Sequence, residues 1–216
     1  MAKQNPPCQI YLITPPVITD IDAFAGNLEA ALAAAPVACL QIRLKGLEDL
    51  ALIQAADVIV PIAHRYGTDV LVNDRPDLVE ACRADGVHIG QKDMDYYSSR
   101  EMLGEDAIIG VTCHNSRELA FQAAMSGADY VAFGAFFETQ TKEPKFPAEL
   151  EILEWWSEAV EIPSVAIGGI NTGNAKAVIE AGADFIALSS GVWNHKDGPA
   201  AAVSQLSELC ASHSPG

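Results

Sequence analysis

Short apolar runs alternate with helical stretches eight times along this chain. That alternation restricts the fold more than any other feature. Runs of strand length stand at 9–13, 37–44, 69–72, 86–89, 107–111, 129–133, 164–167 and 185–188, bounded by turn residues. Helical patterns cover 22–35, 47–66, 76–83, 97–103, 116–125, 149–159, 172–181 and 200–210. Strands alternating with helices imply a parallel sheet. Eight such units imply a closed (β/α)8 TIM barrel, one domain over residues 1–216. An open doubly wound sheet is the runner-up. One pattern recurs three times: Ala84-Asp-Gly-Val-His-Ile-Gly90, Ala128-Asp-Tyr-Val-Ala-Phe-Gly134 and Ala183-Asp-Phe-Ile-Ala-Leu-Ser189. The copies lie 44 and 55 residues apart, about two strand–helix units each. Thr19 or Asp20 is expected to cap the first helix, and Asn115 or Ser116 the fifth. Pro76 suits a first helical turn, and Pro61 should kink or divide the second helix.

Composition adds exclusions. The chain has 216 residues, half apolar and 19% charged, enough for a large core. A formal net charge of −16 argues against nucleic acid or an anionic membrane as partner. It leaves room for anionic small molecules at a local cationic cluster. Cys8, Cys39, Cys82, Cys113 and Cys210 are odd in number and form no C-x-x-C, so they read as reduced thiols of a cytoplasmic protein. The first ten residues hold no apolar signal core, and the longest apolar run, 30–40, is too short to span a bilayer. Trp155 and Trp156 are read as core or as a homo-oligomer contact, with core the default for one of them.

In such a barrel the chemistry sits where strands end. The second strand ends Leu40-Gln41-Ile42-Arg43-Leu44-Lys45. Period two turns Gln41, Arg43 and Lys45 to the interior or mouth and the other three to the helices. Two cations there need an anionic ligand or an interior carboxylate. The third strand ends Asn73-Asp74-Arg75 and the fourth ends Gly90-Gln91-Lys92-Asp93, so Asp74 and Asp93 reach one mouth from adjacent strands. Facing a phosphate-rich pocket, they make a candidate Mg2+ site. The plainer alternatives are a helix cap before Pro76 for Asp74 and a solvated loop charge for Asp93, and Asp95 lies close enough to be confused with Asp93. His88 reads as a core histidine or as a ligand-facing one. Thr112, Cys113 and His114 share the fifth strand's end, but adjacent residues point to opposite faces, so Cys113 and His114 are not expected to pair. Strand six breaks at Gly134 before Thr139, Thr141 and Lys142, which suit phosphate oxygens or an ordinary solvated loop. Gly168-Gly169 allows close backbone approach to an oxyanion. Ser189 and Ser190 follow strand eight, beside the habitual phosphate site of this barrel class.

From Ile10 to about Val192 the chain resembles the thiamine-phosphate synthase (thiamine-phosphate pyrophosphorylase) family, with the thiazole tautomerase as a close relative. The motifs that carry the resemblance are Gln41-Ile-Arg43-Leu-Lys45, Asn73-Asp74-Arg75, the segment from Ala84 to Asp93, Thr139-Gln-Thr141-Lys142 and Ile167-Gly-Gly-Ile170. The resemblance implies a Mg2+-dependent transferase. It joins 4-amino-2-methyl-5-(diphosphooxymethyl)pyrimidine to a thiazole phosphate, releasing pyrophosphate before the thiazole nitrogen attacks a stabilised pyrimidine-methylene cation. Carried onto this sequence, Gln41, Arg43, Lys45, Asn73, Thr112 and Lys142 match pyrimidine-diphosphate contacts, with His88 a candidate on the pyrimidine side. Asp74 and Asp93 match the metal ligands. Thr139, Thr141, Gly169, Ser189 and Ser190 match thiazole-phosphate contacts.

Three places depart from the family pattern. Thr112 replaces a serine, adding a methyl group. Gly134-Ala135 replaces Gly-Pro. The loop after Lys142 is short. Phe137-Glu-Thr139 and His114 lean toward the tautomerase branch, in which His114 would be the acid/base. A third alternative is a non-catalytic thiamine-phosphate-binding protein.

Overall fold

In the computed structural model, which describes residues 7–138 and 147–213, the alternation closes on itself. The strands are β1 (Gln9–Ile13), β2 (Cys39–Ile42), β3 (Asp69–Asn73), β4 (Gly86–Ile89), β5 (Ile108–His114), β6 (Tyr130–Gly134), β7 (Ser164–Ile167) and β8 (Phe185–Leu188). All pair in parallel with their chain neighbours, and β8 pairs with β1 from Gln9↔Phe185 to Leu12↔Leu188. The sheet therefore has no edge, and the open doubly wound alternative is ruled out.

Period two sorts the strands' side chains into two cores. Leu40, Ile42, Val70, Val72, Val87, Ile89, Ile109, Val131, Phe133, Ile186 and Leu188 face outward and join the apolar stripes of the helices in one cluster. Tyr11, Ile13, Cys39, Leu71, Tyr130, Ala132, Val165 and Ala187 form a second, smaller core inside the barrel.

The helices are α1 (Ile21–Ala34), α2 (Asp49–Arg65), α3 (Val79–Cys82), α4 (Tyr96–Leu103), α5 (Arg117–Ser126), α6 (Glu151–Ala159), α7 (Ala175–Glu180), α8 (Ser190–Trp193) and α9 (Pro199–His213). Asp20 caps α1 by accepting the Ala23 N–H, and Ser116 caps α5 by accepting that of Leu119. α2 runs through Pro61 as one helix. Both Pro61 and Asp57, whose carbonyl loses its i+4 donor, are exposed, so water can satisfy that oxygen. A 3-10 turn, Pro76–Leu78, precedes the single turn of α3. The short α8 was not expected from the sequence.

The threefold sequence pattern has a structural cause. Each of its aspartates sits at the start of an even-numbered strand and accepts a backbone N–H from the strand before. Val70 donates to Asp85 at 2.6 Å, Ile109 to Asp129 at 2.7 Å and Ser164 to Asp184 at 2.7 Å. These N–H groups lie at the barrel's lower rim, where the ladder leaves donors without partners. Each carboxylate takes a further donor: His64 at 2.8 Å, Arg100 at 2.9 Å and the Ser164 hydroxyl at 3.0 Å, respectively.

Trp156 is fully buried, and its Nε1 donates to the Ile162 carbonyl at 2.7 Å. Trp155 is half-buried, under the Arg117 guanidinium at 4.3 Å. All five cysteines are buried, and none forms a disulfide. Among the described residues no helix is long and apolar enough to cross a membrane.

Candidate active site at the strand C-termini

β3 and β4 bring the two predicted acids together. Asp74 follows the last residue of β3 with φ +63°, a conformation that aspartate tolerates better than most side chains. Its N–H donates to the His88 carbonyl at 2.8 Å, which ties the turn to β4. Its carboxyl faces Asp93 and Asn73. Burial, and next the negative charge of Asp93, push Asp74 above the usual carboxylate range, while Asn73 and Arg43 pull it back. Asp93 is held by the Gly90 N–H at 2.8 Å. Asp74 does not cap the turn at Pro76, since no side chain caps that element. Asp95 is the N-cap of α4, accepting the Ser98 N–H at 3.1 Å and its hydroxyl at 2.8 Å. The structure thus separates Asp93 from the neighbour with which it could be confused.

The β2 residues divide by depth. Gln41 is 2% exposed inside the barrel, and its Nε2 donates to the Tyr11 hydroxyl at 3.0 Å. Arg43 lies just past β2, half-buried at the mouth, with its N–H on the Thr14 hydroxyl at 2.9 Å. It acts electrostatically on both Asp74 and His88. No salt bridge within 4 Å holds it among the described residues. Lys45 is exposed, and its N–H donates to the Pro16 carbonyl at 2.9 Å.

His88 is buried, with Nδ1 2.8 Å from the Tyr130 hydroxyl and Nε2 2.7 Å from the Thr112 hydroxyl. Burial, with Arg43 adding to it and Asp93 opposing, holds it down to about 4, so the ring is neutral at physiological pH. β5 runs three residues past its expected end and bulges between Thr112 and His114. Cys113 points away from the mouth, fully buried with its Sγ on the Val111 carbonyl, and burial pushes its thiol up to about 12. His114 is exposed at φ +53°. The two do not pair, as period two requires.

The glycines that follow β7 have an internal reason. A Cβ on Gly168 would lie 2.3 Å from Ala135 Cβ, and one on Gly169 2.5 Å from the Glu138 carbonyl oxygen. What approaches them here is the loop after β6. That loop's candidates Thr139, Thr141 and Lys142 lie outside the described residues. At β8, the Ser189 hydroxyl donates to the Thr14 carbonyl at 3.1 Å and Trp193 Nε1 to the Ile13 carbonyl at 2.6 Å. Ser190 starts α8.

Sequence reasoning missed Tyr11, Thr14, Gly110 and Tyr130. Period two marks Tyr11 and Tyr130 as inward-facing, and Gly110 of β5, which faces Tyr130, was the available signal.

The model of the family described as thiamine monophosphate synthase matches residues 10–192. A thiamine-phosphate synthase of Rhodospirillum centenum is 53% identical over 94% of this chain and 97% of that protein. One from Hyphomonas neptunium is 51% identical over 98% and 97%. Among solved structures, a thiamine phosphate pyrophosphorylase from Pyrococcus furiosus superposes with TM-score 0.82 at 30% identity, covering 94% of this chain and 95% of that one. An orotidine 5'-phosphate decarboxylase from Pyrococcus horikoshii, at 14% identity and TM-score 0.66, shares the fold alone. With a family model spanning most of the barrel and two relatives above half identity, the chain belongs to the thiamine monophosphate synthase family.

Proposed function

We propose that the mouth of this barrel joins 4-amino-2-methyl-5-(diphosphooxymethyl)pyrimidine to a thiazole phosphate, giving thiamine phosphate and pyrophosphate. The transferase activity follows from family membership; the assignment of residues is the proposal. The observation that supports it best is the meeting of Asp74 and Asp93 at one point of the mouth, with Arg43 beside them.

Facing carboxyls with a raised Asp74 fit a cation between them. Among the described residues no group of three or more His, Cys, Asp or Glu side chains is placed to hold a metal. Two carboxylates suit Mg2+, which keeps several waters and takes other oxygens from substrate phosphates. Bound by Asp74 and Asp93, Mg2+ would neutralise charge on the diphosphate.

Arg43, Lys45 and Lys142 bind the diphosphate, with Asn73 completing the contact. As the pyrimidine–oxygen bond breaks, charge gathers on the leaving oxygens, and these cations stabilise it more than in the ground state. Thr112 orients the pyrimidine above the buried His88 and Gln41. Ser190, Gly169, Thr139 and Thr141 take the thiazole phosphate. Ser189, whose hydroxyl already donates to Thr14, shapes that pocket. Five unbridged thiols support a cytoplasmic setting.

The test is thiamine-phosphate formation from the two precursors with Mg2+ or with EDTA, read as thiochrome fluorescence. Mg2+-dependent product is expected. Equal product in EDTA would overturn the metal assignment. Isomerisation of the thiazole without condensation would move the reaction to the tautomerase reading and to His114. Binding of both precursors without turnover would point to the non-catalytic reading.

A further inference from the structure

A line of hydrogen bonds descends from the mouth into the barrel. Thr112 Oγ1 is 2.7 Å from His88 Nε2, and His88 Nδ1 is 2.8 Å from the Tyr130 hydroxyl. The Tyr130 hydroxyl is 2.9 Å from that of Tyr11, and Gln41 Nε2 donates to Tyr11 at 3.0 Å. Five strands supply the five residues. All but Thr112 are at most 7% exposed, and burial keeps both phenols protonated. The line has its own space. The His88 ring stacks on that of Tyr130 at 5.7 Å and 19°. A Cβ on Gly110 would fall 1.8 Å from Tyr130 Cζ, so only glycine there lets the ring lie in place.

Donor counting gives the line a direction. Each phenol has one hydrogen, and the neutral imidazole has one N–H and one lone pair. If the bonds point inward, Thr112 donates to Nε2, Nδ1–H to Tyr130, and Tyr130 to Tyr11. The Tyr11 oxygen then accepts from both Gln41 and Tyr130, and its own hydrogen is left facing Cys39, whose sulfur is a weak acceptor. If they point outward, Tyr11 donates to Tyr130, Tyr130 to Nδ1, and Nε2–H to Thr112. Every acceptor is then oxygen or nitrogen, and the Thr112 hydrogen is free for the mouth.

We infer that Tyr130 and Tyr11 are positioning residues: they hold His88 as its Nε2–H tautomer, so that Thr112 meets the substrate as a hydrogen-bond donor to a ring nitrogen of the pyrimidine. The inference rests on the pyrimidine site proposed above and adds the direction of one contact in it. A donor on a ring nitrogen weakens once the ring turns cationic. The contact therefore serves binding and orientation more than the bond-breaking step.

Nitrogen NMR of His88 in the ligand-free, 15N-labelled full chain tests the direction, and kinetics of Tyr130→Phe tests its use. Wild type should show a protonated Nε2 and a bare, hydrogen-bonded Nδ1. Tyr130→Phe keeps the ring over Gly110, loses the tautomer preference, and raises KM for the pyrimidine diphosphate about three- to tenfold. Its kcat should stay within about twofold and KM for the thiazole phosphate unchanged. Should that variant fold poorly, Tyr11→Phe removes only the far hydroxyl and should shift the same signals less. A wild-type proton on Nδ1 overturns the inference, as does a fall in kcat at constant KM. An Nε2–H tautomer with unchanged KM overturns the link to Thr112. Failure of the site reading looks different: Arg43→Ala would then leave KM for the pyrimidine diphosphate unchanged, whatever the tautomer of His88.

Discussion

The two ends of this barrel use aspartate in opposite ways. At the lower rim, Asp85, Asp129 and Asp184 each accept a backbone N–H from the preceding strand and one further donor. At the mouth, Asp74 and Asp93 face each other, and burial plus mutual repulsion raise Asp74. The lower carboxylates complete a ladder. The upper pair has an arrangement that disfavours the charge of Asp74 and that a bound cation would relieve. On the proposed reading, the same side chain serves stability at one end and ligand binding at the other. Position along the strand decides which, as in barrels generally.

The largest effect is expected of Asp93→Ala. Turnover should fall by about a hundredfold or more, as expected when a metal ligand is lost. Unfolding free energy should change by no more than about 1 kcal/mol, since relief of repulsion offsets the lost bond from Gly90. Steady-state kinetics and urea unfolding read both. A large loss of stability at retained kcat would assign Asp93 to the structural class.

Asp184→Ala should do the reverse. Ser164 is fully buried, so its N–H and hydroxyl lose their acceptor together, at about 1–3 kcal/mol. For a chain of this size the melting temperature should drop by about 2–10 °C, while kcat/KM per folded molecule holds. A selective loss of activity would mean that the two ends are coupled.

Ligand addition sharpens the same contrast by a smaller amount. Mg2+ with inorganic pyrophosphate, at about ten times its Kd, should stabilise wild type by about 1.4 kcal/mol. The shift should vanish in Asp93→Ala and persist in Asp184→Ala, as read by thermal melting. A shift retained in Asp93→Ala would place the cation elsewhere.

How much of this was legible in the sequence follows from the range of each interaction. β4, β7 and β8 appear at the expected residues, because each is a short apolar run between an Ala-Asp or proline turn and a small or glycine residue. The meeting of Asp74 and Asp93 was legible too, because it needs only two strand ends and the neighbour rule for parallel units. The line from Thr112 to Tyr11 was not. Tyr11 and Tyr130 are 119 residues apart in the chain, and nothing local in either says which inward-facing partner it meets across the closed barrel. The bulge in β5 and the continuity of α2 through Pro61 escaped for a related reason. Both depend on what faces the backbone, water in one case and β6 in the other, and not on the residues themselves.

The smallest effect asks what a lower-rim aspartate contributes through each of its two donors. His64 reaches Asp85 from the surface, with its side chain 43% exposed. The Val70 N–H reaches the same carboxylate oxygen from a fully buried residue. An exposed pair of this kind is screened by water and contributes about 0–1 kcal/mol, whereas a buried N–H without an acceptor costs about 1–3 kcal/mol. His64→Ala should therefore shift the urea midpoint only slightly, by about 0.5 kcal/mol or less in stability. Asp85→Ala should cost several times more. If the two variants cost the same, the rim would be held by its surface pairs. The Ala-Asp pattern would then mark a charge contact, and the ladder explanation for its recurrence before β4, β6 and β8 would fall.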